Sequence, residues 1–358
     1  MRWDLRAGWP DLSAFPRRAW QASYVRALAA LPDTDLGYGS PYGLRALREA
    51  LAVQLGRSRG VLTSADAIVV TGGLLPGLTV ALRAAAARRV AVEDPGWRGQ
   101  VSAARQAGAE AVPVPVDERG LVVDALPDDV DVVCVTPAHQ FPLGVVLEPE
   151  RRSALVAWAR AHDALVIEDD YDAEYRYDRD PVGALQGLAP DRVVYAGSAS
   201  KTLAPALRLG WMAAPPWFAE RLAAEKDRTD RGSPSIEQAA LADLVARGDL
   251  DRHLRRTRLR YRRRRDALVA ALAENAPQVR VGGAAAGLHV TAWLPAGIGE
   301  AEAAAGARAA GVAVDRLSDS ISARTPQPPA LLLGYTAETE AALARAVRAI
   351  VPALRGER

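Results

Sequence analysis

The sequence predicts an α/β protein: a large domain on a mostly parallel central sheet, joined to a smaller C-terminal α/β domain. Three observations predict it. Short, wholly apolar runs alternate with helix-period segments from about residue 67 to residue 196, the pattern of βαβ units whose sheet is covered on both faces. After Pro215 the pattern changes to long helices and then to a second set of strands and helices. A chain of 358 residues, 49% apolar and 25% charged, exceeds one ordinary domain and can bury a sizeable core.

The first forty residues are rich in Trp, Pro and Gly and weakly periodic, and they read as an arm or irregular segment laid over a core. Ile68-Val69-Val70 reads as a buried strand followed by a helix through Leu82, and Val90-Ala91-Val92 as a strand followed by a helix from Val101 to Gln106. Strands are expected at Ala111 to Val116, Val132 to Val135, Ala164 to Ile167 and Val193 to Ala196, with a helix over Glu150 to Arg160. Beyond Pro215, Leu254, Tyr261, Leu268 and Leu272 form an apolar seam at helical spacing. Arginines crowd around that seam from Arg252 to Arg265, and a solvated helix face accounts for them more simply than DNA binding does. A strand is expected at Gly287 to Thr291. The expected organisation is an arm over 1–40, a large domain over 41–248 and a small domain over 249–358.

A net charge of +2 points neither to a nucleic-acid-coating protein nor to an anionic-membrane binder. The start has no apolar core of a signal peptide, no run is long enough to span a bilayer, and the single cysteine, Cys134, admits no intramolecular disulfide. A cytoplasmic protein without membrane partners is the expectation. Four histidines and one cysteine in no ligand spacing argue against a metal site. Of 45 basic residues only Lys201 and Lys226 are lysines. Arginine cannot replace lysine where a neutral amine must attack a carbonyl.

Lys201 lies in the central cluster, GSASKTLAPALRLG over residues 197–210. A small-residue turn after a strand presents Ser198, Ser200 and Lys201, and a partly desolvated lysine there becomes a nucleophile. The two serines and Arg208 suit phosphate oxygens. Ser198 and Lys201 also fit an S-x-x-K acyl-enzyme pattern, but its partner motifs are missing. IEDDYDAEYRYD, residues 167–178, follows an apolar strand and offers carboxylates that can pair with a protonated pyridine nitrogen. An EF-hand would need glycine where Tyr175 stands.

TGGLLPGL, residues 71–78, sets Gly73 and Leu74 at a helix N-terminus, a seat for phosphate. VEDPGW, residues 92–97, offers Trp97 for stacking on a flat ring, and VTPAHQFPLG, residues 135–144, brings His139 and Gln140 to the same sheet edge.

These motifs, in order along nearly the whole chain, resemble the aminotransferase-like domain of MocR-type bacterial regulators of the GntR superfamily, itself similar to class I aminotransferases. The resemblance runs from DLRAGWPDLSAFP and YGSPYGLRALREAL through VVTGG, VEDPGW, VDERGL, VTPAHQFPLGVV, IEDDYDAEYRY and GSASKTLAPALRLG to HLRRTRLRYRRRRDAL. It implies a fold-type-I protein that binds pyridoxal 5'-phosphate, with Lys201 as the Schiff-base lysine and Asp169 as partner of the pyridine nitrogen. It implies Tyr171 near the ring's phenolic oxygen, Trp97 stacked where relatives have a tyrosine, and His139 and Gln140 beside the ring. Ser198, Ser200 and Arg208 fall at phosphate ligands. It further implies a homodimer with shared sites, in which Tyr38 approaches the neighbouring subunit's cofactor, and an amino acid or amine as ligand.

Three departures stand out. Leu74-Leu75-Pro76 replaces residues that are commonly glutamines, and Pro76 has no N–H to offer. The strand Ala330 to Tyr335 carries no arginine for a substrate carboxylate, which leaves Arg316 or Arg324 as substitutes. The winged-helix DNA-binding domain of such regulators does not precede the matched segment, so DNA is a partner only where the full gene product carries one. The functional expectation is an aminotransferase-like domain reacting with an amino acid or amine; the alternative is an effector sensor without turnover.

Overall fold

A computed structural model describes residues 1–177, 182–283, 285–322 and 327–356. Its main sheet has eight strands: β1 (Ile68–Thr71), β2 (Arg89–Asp94), β3 (Glu110–Asp117), β4 (Gly120–Leu121), β5 (Val132–Val135), β6 (Leu165–Asp169), β7 (Val193–Ser198) and β8 (Gly210–Ala213). They lie in the order β1-β8-β7-β6-β5-β2-β3-β4. The five strands from β7 to β3 pair in parallel, whereas β8 and β4 run antiparallel to their neighbours.

Side-chain alternation decides what each face carries. Val90 and Val92, Val132 and Cys134, Leu165 and Ile167, and Val194 and Ala196 pack on one face beneath α3 (Leu74–Ala84), α4 (Arg98–Ala107) and α6 (Pro216–Asp230). Ala91, Val133, Val135 and Val166 pack on the other beneath α5 (Pro149–Ala161). Near β1 and β8 that second face is closed by α2 (Arg45–Arg59) and α7 (Ser235–Ala246). Continued by two residues, the first alternation puts Asp169 and Ser198 on the α3 and α4 side, at the carboxyl ends of their strands.

Every expected strand and helix of this sheet is present within a few residues. Helix α2 and the strands β4 and β8 were not expected; only Gly210, the first residue of β8, lies in the loop cluster over 197–210. The segment Arg17–Ala30 is a 14-residue helix, α1, within what reads as an irregular arm. Its buried face is only Ser23 and Ala27, packed on α7, so it has no apolar stripe to see.

The 27-residue helix α8 (Asp249–Asn275) leads to a second, four-stranded antiparallel sheet. Its strands are β9 (Arg280–Gly282), β10 (His289–Trp293), β11 (Asp315–Arg316) and β12 (Ala330–Gly334), in the order β9-β10-β12-β11. Two further helices, α9 (Glu300–Ala309) and α10 (Glu340–Arg355), pack with Tyr261, Leu268 and Leu272 of α8 in one core. The chain's first residues join this second body: Trp3–Asp4 pair in parallel with Val312–Ala313, and Leu5 is fully buried. Of the α8 arginines, Arg260 and Arg264 pair with Asp11 and Arg258 donates to the Glu174 carbonyl, while Arg252, Arg255, Arg256, Arg262 and Arg263 lie on an exposed face. Among the described residues no helix is long and apolar enough to cross a membrane, and no cluster of metal-ligating side chains occurs.

Candidate functional site

The strand order reverses its direction of growth at β2: β3 is added on one side, and β5, β6 and β7 on the other. In open α/β sheets a crevice opens at that point, beyond the carboxyl ends of the strands. Here a cavity of about 360 Å³ lies there, within the size range of small-molecule sites. Leu74 and Leu75 line it after β1, Trp97 after β2, Phe141 after β5, Asp169 and Tyr171 at the end of β6, and Ser198, Ser200, Lys201 and Arg208 after β7. Ala7 and Gly8 of the N-terminal segment close it.

Lys201 donates from Nζ to the Gly8 carbonyl at 2.7 Å. Burial lowers the pKa of its ammonium, only partly offset by Asp169 and Asp172. Asp169 faces the opposite stress. Burial, reinforced by the charges of Asp170, Asp172 and Glu93, raises its pKa well above the usual carboxylate range. Its Oδ1 is buried without a hydrogen-bond partner among the described residues. The neighbouring Glu168, on the other face of β6, shows what a satisfied carboxylate looks like: its oxygens accept from the Leu185 and Gln186 amides at 2.9 Å. A buried acceptor left open beside a cavity is where a cationic N–H of a ligand fits.

The phosphate end is built from backbone shape. Gly73 caps α3 with φ of +110°, and a Cβ there would stand 3.0 Å from an Arg208 guanidinium nitrogen. Arg208 itself adopts a left-handed conformation, φ +51°, which is uncommon for a side-chain-bearing residue and concentrated at functional sites. Leu74 and Leu75 open the helix, where amide hydrogens have no intrahelical acceptor. Pro76 is the third helical residue, where a missing N–H costs the helix nothing. The donors, the open carboxylate, the lysine and the Trp97 indole together fit a phosphorylated pyridine aldehyde.

Not every expected residue reaches the cavity. His139 and Gln140 stand one layer behind it. Gln140 is spent on the Pro95 and Phe141 carbonyls and the Leu143 amide, and His139 sits behind Tyr171. Tyr38 is 80% exposed, with its ring under the Arg231 guanidinium at 5.1 Å, away from this cavity. Arg316 pairs with Asp319 at 2.6 Å and lines a separate surface groove. Arg324 lies outside the described residues. Ala7, Gly8 and Phe141 were not singled out from the sequence. Gly8 acts through a carbonyl oxygen, which every residue possesses, so no residue-type signal marks it.

A cavity at the carboxyl edge of this sheet, with one lysine and one open carboxylate, defines a fold-type-I, pyridoxal-phosphate-dependent class of protein. The family profile "Aminotransferase class I and II" matches residues 10–316, and the chain belongs to that family. It is 38% identical over 287 residues to the HTH-type pyridoxine biosynthesis transcriptional regulator PdxR of Corynebacterium glutamicum, covering 80% of this chain and 62% of that protein. It is 36% identical to the probable rhizopine catabolism regulatory protein MocR of Rhizobium meliloti, covering 74% of this chain and 54% of that one. The chain thus spans less than two thirds of these relatives' lengths.

An archaeal alanine:glyoxylate aminotransferase superposes with a TM-score of 0.91 at 26% identity, covering 99% of this chain and 91% of that one. A Pyrococcus horikoshii kynurenine aminotransferase gives 0.89 at 27% identity, covering 99% and 90%. The protein is therefore aminotransferase-like, with a domain shared with these regulators and pyridoxal phosphate as its cofactor.

Proposed function

We propose that Lys201 holds pyridoxal phosphate as a Schiff base and that the domain receives an amino acid or amine in the same cavity. One observation carries the reading: a half-buried lysine of lowered pKa and a buried Asp169 carboxyl group whose Oδ1 has no partner among the described residues line one cavity. Asp169 would hold the pyridine N–H, Tyr171 would serve the phenolic oxygen and Trp97 would pack on the ring, all three lining this cavity. Arg208, Ser198, Ser200 and the amides of Gly73 and Leu74 hold the phosphate. Bound there, the cofactor supplies a ring that takes up negative charge developing on the substrate carbon. With its amine free, Lys201 would stand in the same cavity to take a proton as general base. Gly8, whose carbonyl already holds the Nζ, keeps the amine aimed across the cavity.

The domain acts in the cytoplasm as a homodimer, with Tyr38 delivered to the partner's cavity. It touches DNA only where a winged helix is joined to it. A second reading is a sensor that binds the amine and stops. It is favoured by the lining: among the described residues the cavity offers no cation beyond Lys201 and Arg208 for a substrate carboxylate.

The visible spectrum of the reconstituted protein tests both readings. An amino donor that bleaches the cofactor band, with restoration by a keto acid, establishes transamination. A band that shifts and stays establishes the sensor. Absence of any band in the unaltered protein sinks the assignment of Lys201.

A further inference from the structure

The reading above leaves open what the incoming amine carries, and the wall beside Lys201 bears on that. Lys201 Nζ is 2.7 Å from the Gly8 carbonyl, so a ligand nitrogen that reaches it comes in beside the N-terminal segment. Ala7 and Phe141 line the cavity there, and both pack against the buried cluster of Leu143, Leu317 and Leu332. Leu143 follows β5 of the large domain, whereas Leu317 and Leu332 belong to the second sheet's body. One apolar wall therefore joins the two domains at the cavity.

The polar groups packed on this wall bring no positive charge. The Ala7 amide donates to Asp315 Oδ2 at 2.8 Å, so an acid stands behind the N-terminal segment. The imidazole against Phe141 is that of His289, 5.2 Å ring to ring, with Nε2 on the Pro142 carbonyl at 3.0 Å. Burial pushes its pKa down to about 4, so it is neutral at neutral pH. Arg6 and Arg316, the arginines next to this segment and to Asp315, are each engaged at 2.6 Å, by Asp4 and by Asp319. Of the two cations that line the cavity among the described residues, Arg208 packs against Gly73 at the mouth of α3, the place given above to phosphate. An apolar group gains by covering such a wall, whereas a carboxylate drawn out of water needs a cation or a set of N–H donors.

We propose that the cavity selects an amine without a carboxylate, whose apolar substituent packs on Ala7 and Phe141. This rests on the reading of the cavity as a pyridoxal-phosphate site with Lys201 as the covalent residue. The exchange is balanced: the ligand's nitrogen takes the bond to carbon that Lys201 held, and Lys201 leaves as a free amine with the two hydrogens that nitrogen gives up. An α-amino acid with the same side chain brings a carboxylate into a lining with no free cation to receive it.

The test is a titration of the visible band of the full chain reconstituted with pyridoxal phosphate, at one pH near neutrality, with matched pairs of ligands. Phenethylamine is set against L-phenylalanine, and 3-methylbutylamine against L-leucine. Each amine is expected to shift the band at about one tenth of the concentration its amino acid needs, or less. Propylamine should likewise act before ethanolamine, which has a hydroxyl in place of the methyl. Phe141→Ala, with its fold checked by circular dichroism and its band present, should need about tenfold more phenethylamine and nearly the same methylamine. Should that variant not fold, the ligand pairs decide alone. An amino acid that shifts the band at or below the concentration of its amine overturns this inference alone, and points to a cation from the partner subunit or from Arg324. Ethanolamine acting before propylamine, or an equal loss of phenethylamine and methylamine in Phe141→Ala, overturns the apolar wall as the selecting feature. A band that no amine moves overturns this inference and the ligand reading, and no band in the unaltered protein overturns the cofactor reading as well.

Discussion

The chain's two lysines are both withdrawn from water, and they are treated in opposite ways. Lys226, on α6, is 1% exposed, and its Nζ meets both carboxylate oxygens of Asp230, one helical turn on, at 2.7 and 2.9 Å. Its charge is answered within its own helix. Among the described contacts, Lys201 donates only to a neutral carbonyl, and the carboxyl groups that favour its charge act from further off. Burying a cation without a paired anion is costly, and it weakens the charged form. A lysine kept for packing takes the first arrangement, and a lysine kept for its nucleophilic amine takes the second. The contrast shows why rarity alone was a poor guide: both lysines stood out in an arginine-rich chain, and only their partners separate them.

The largest expected effect would break the comparison outright. Lys201→Ala should abolish the covalent visible band of the reconstituted protein, whereas Lys226→Ala should leave the band in place. A band that survives in Lys201→Ala and vanishes in Lys226→Ala would reverse the assignment.

A smaller effect concerns what surrounds Lys201. Arg208 strains its own backbone to bring a guanidinium against Gly73, which is worthwhile only for an anion. Arg208→Ala should weaken pyridoxal phosphate binding about 100-fold, the loss of charge-assisted contacts to phosphate. Dissociation constants from fluorescence titration check this. An affinity unchanged by the substitution would place the phosphate elsewhere.

Much of this was legible in the sequence because buried parallel strands are continuous apolar runs, and reactive groups follow where those runs stop. Lys201 and Arg208 were read on that logic, Asp169 was picked out of its acidic cluster only by the family resemblance, and the cavity brings the three together. What escaped detection did so for physical reasons. Helix α1 buries only Ser23 and Ala27 fully, too small to make a stripe, and β8 is four residues of mixed size beside a glycine turn. Gly8 contributes a carbonyl oxygen, and that function has no residue-type signature. His139 and Gln140 follow β5 at this sheet edge but do not line the cavity, and periodicity cannot tell the cavity wall from the layer behind it.

The subtlest test compares the two lysines in the cofactor-free protein, as a stability difference of opposite sign. Lys201→Met removes a cation that burial penalises, and should raise stability near neutral pH by about 1 kcal/mol. Lys226→Met strands Asp230, whose side chain is 36% exposed and can turn to water, so the loss should be about 1 kcal/mol or less. The pH dependence separates them further. Burial depresses the folded-state pKa of Lys201 below its usual 10.5. A group shifted in that direction contributes stability above pH 10.5 that is lost as pH falls through the folded value. The advantage of Lys201→Met should therefore be full below the folded pKa and close as pH rises towards 10.5. Thermal melts of both variants at several pH values measure it. A Lys201→Met protein less stable than the unaltered chain at neutral pH would mean that this lysine, too, is held by a partner that stabilises its charge.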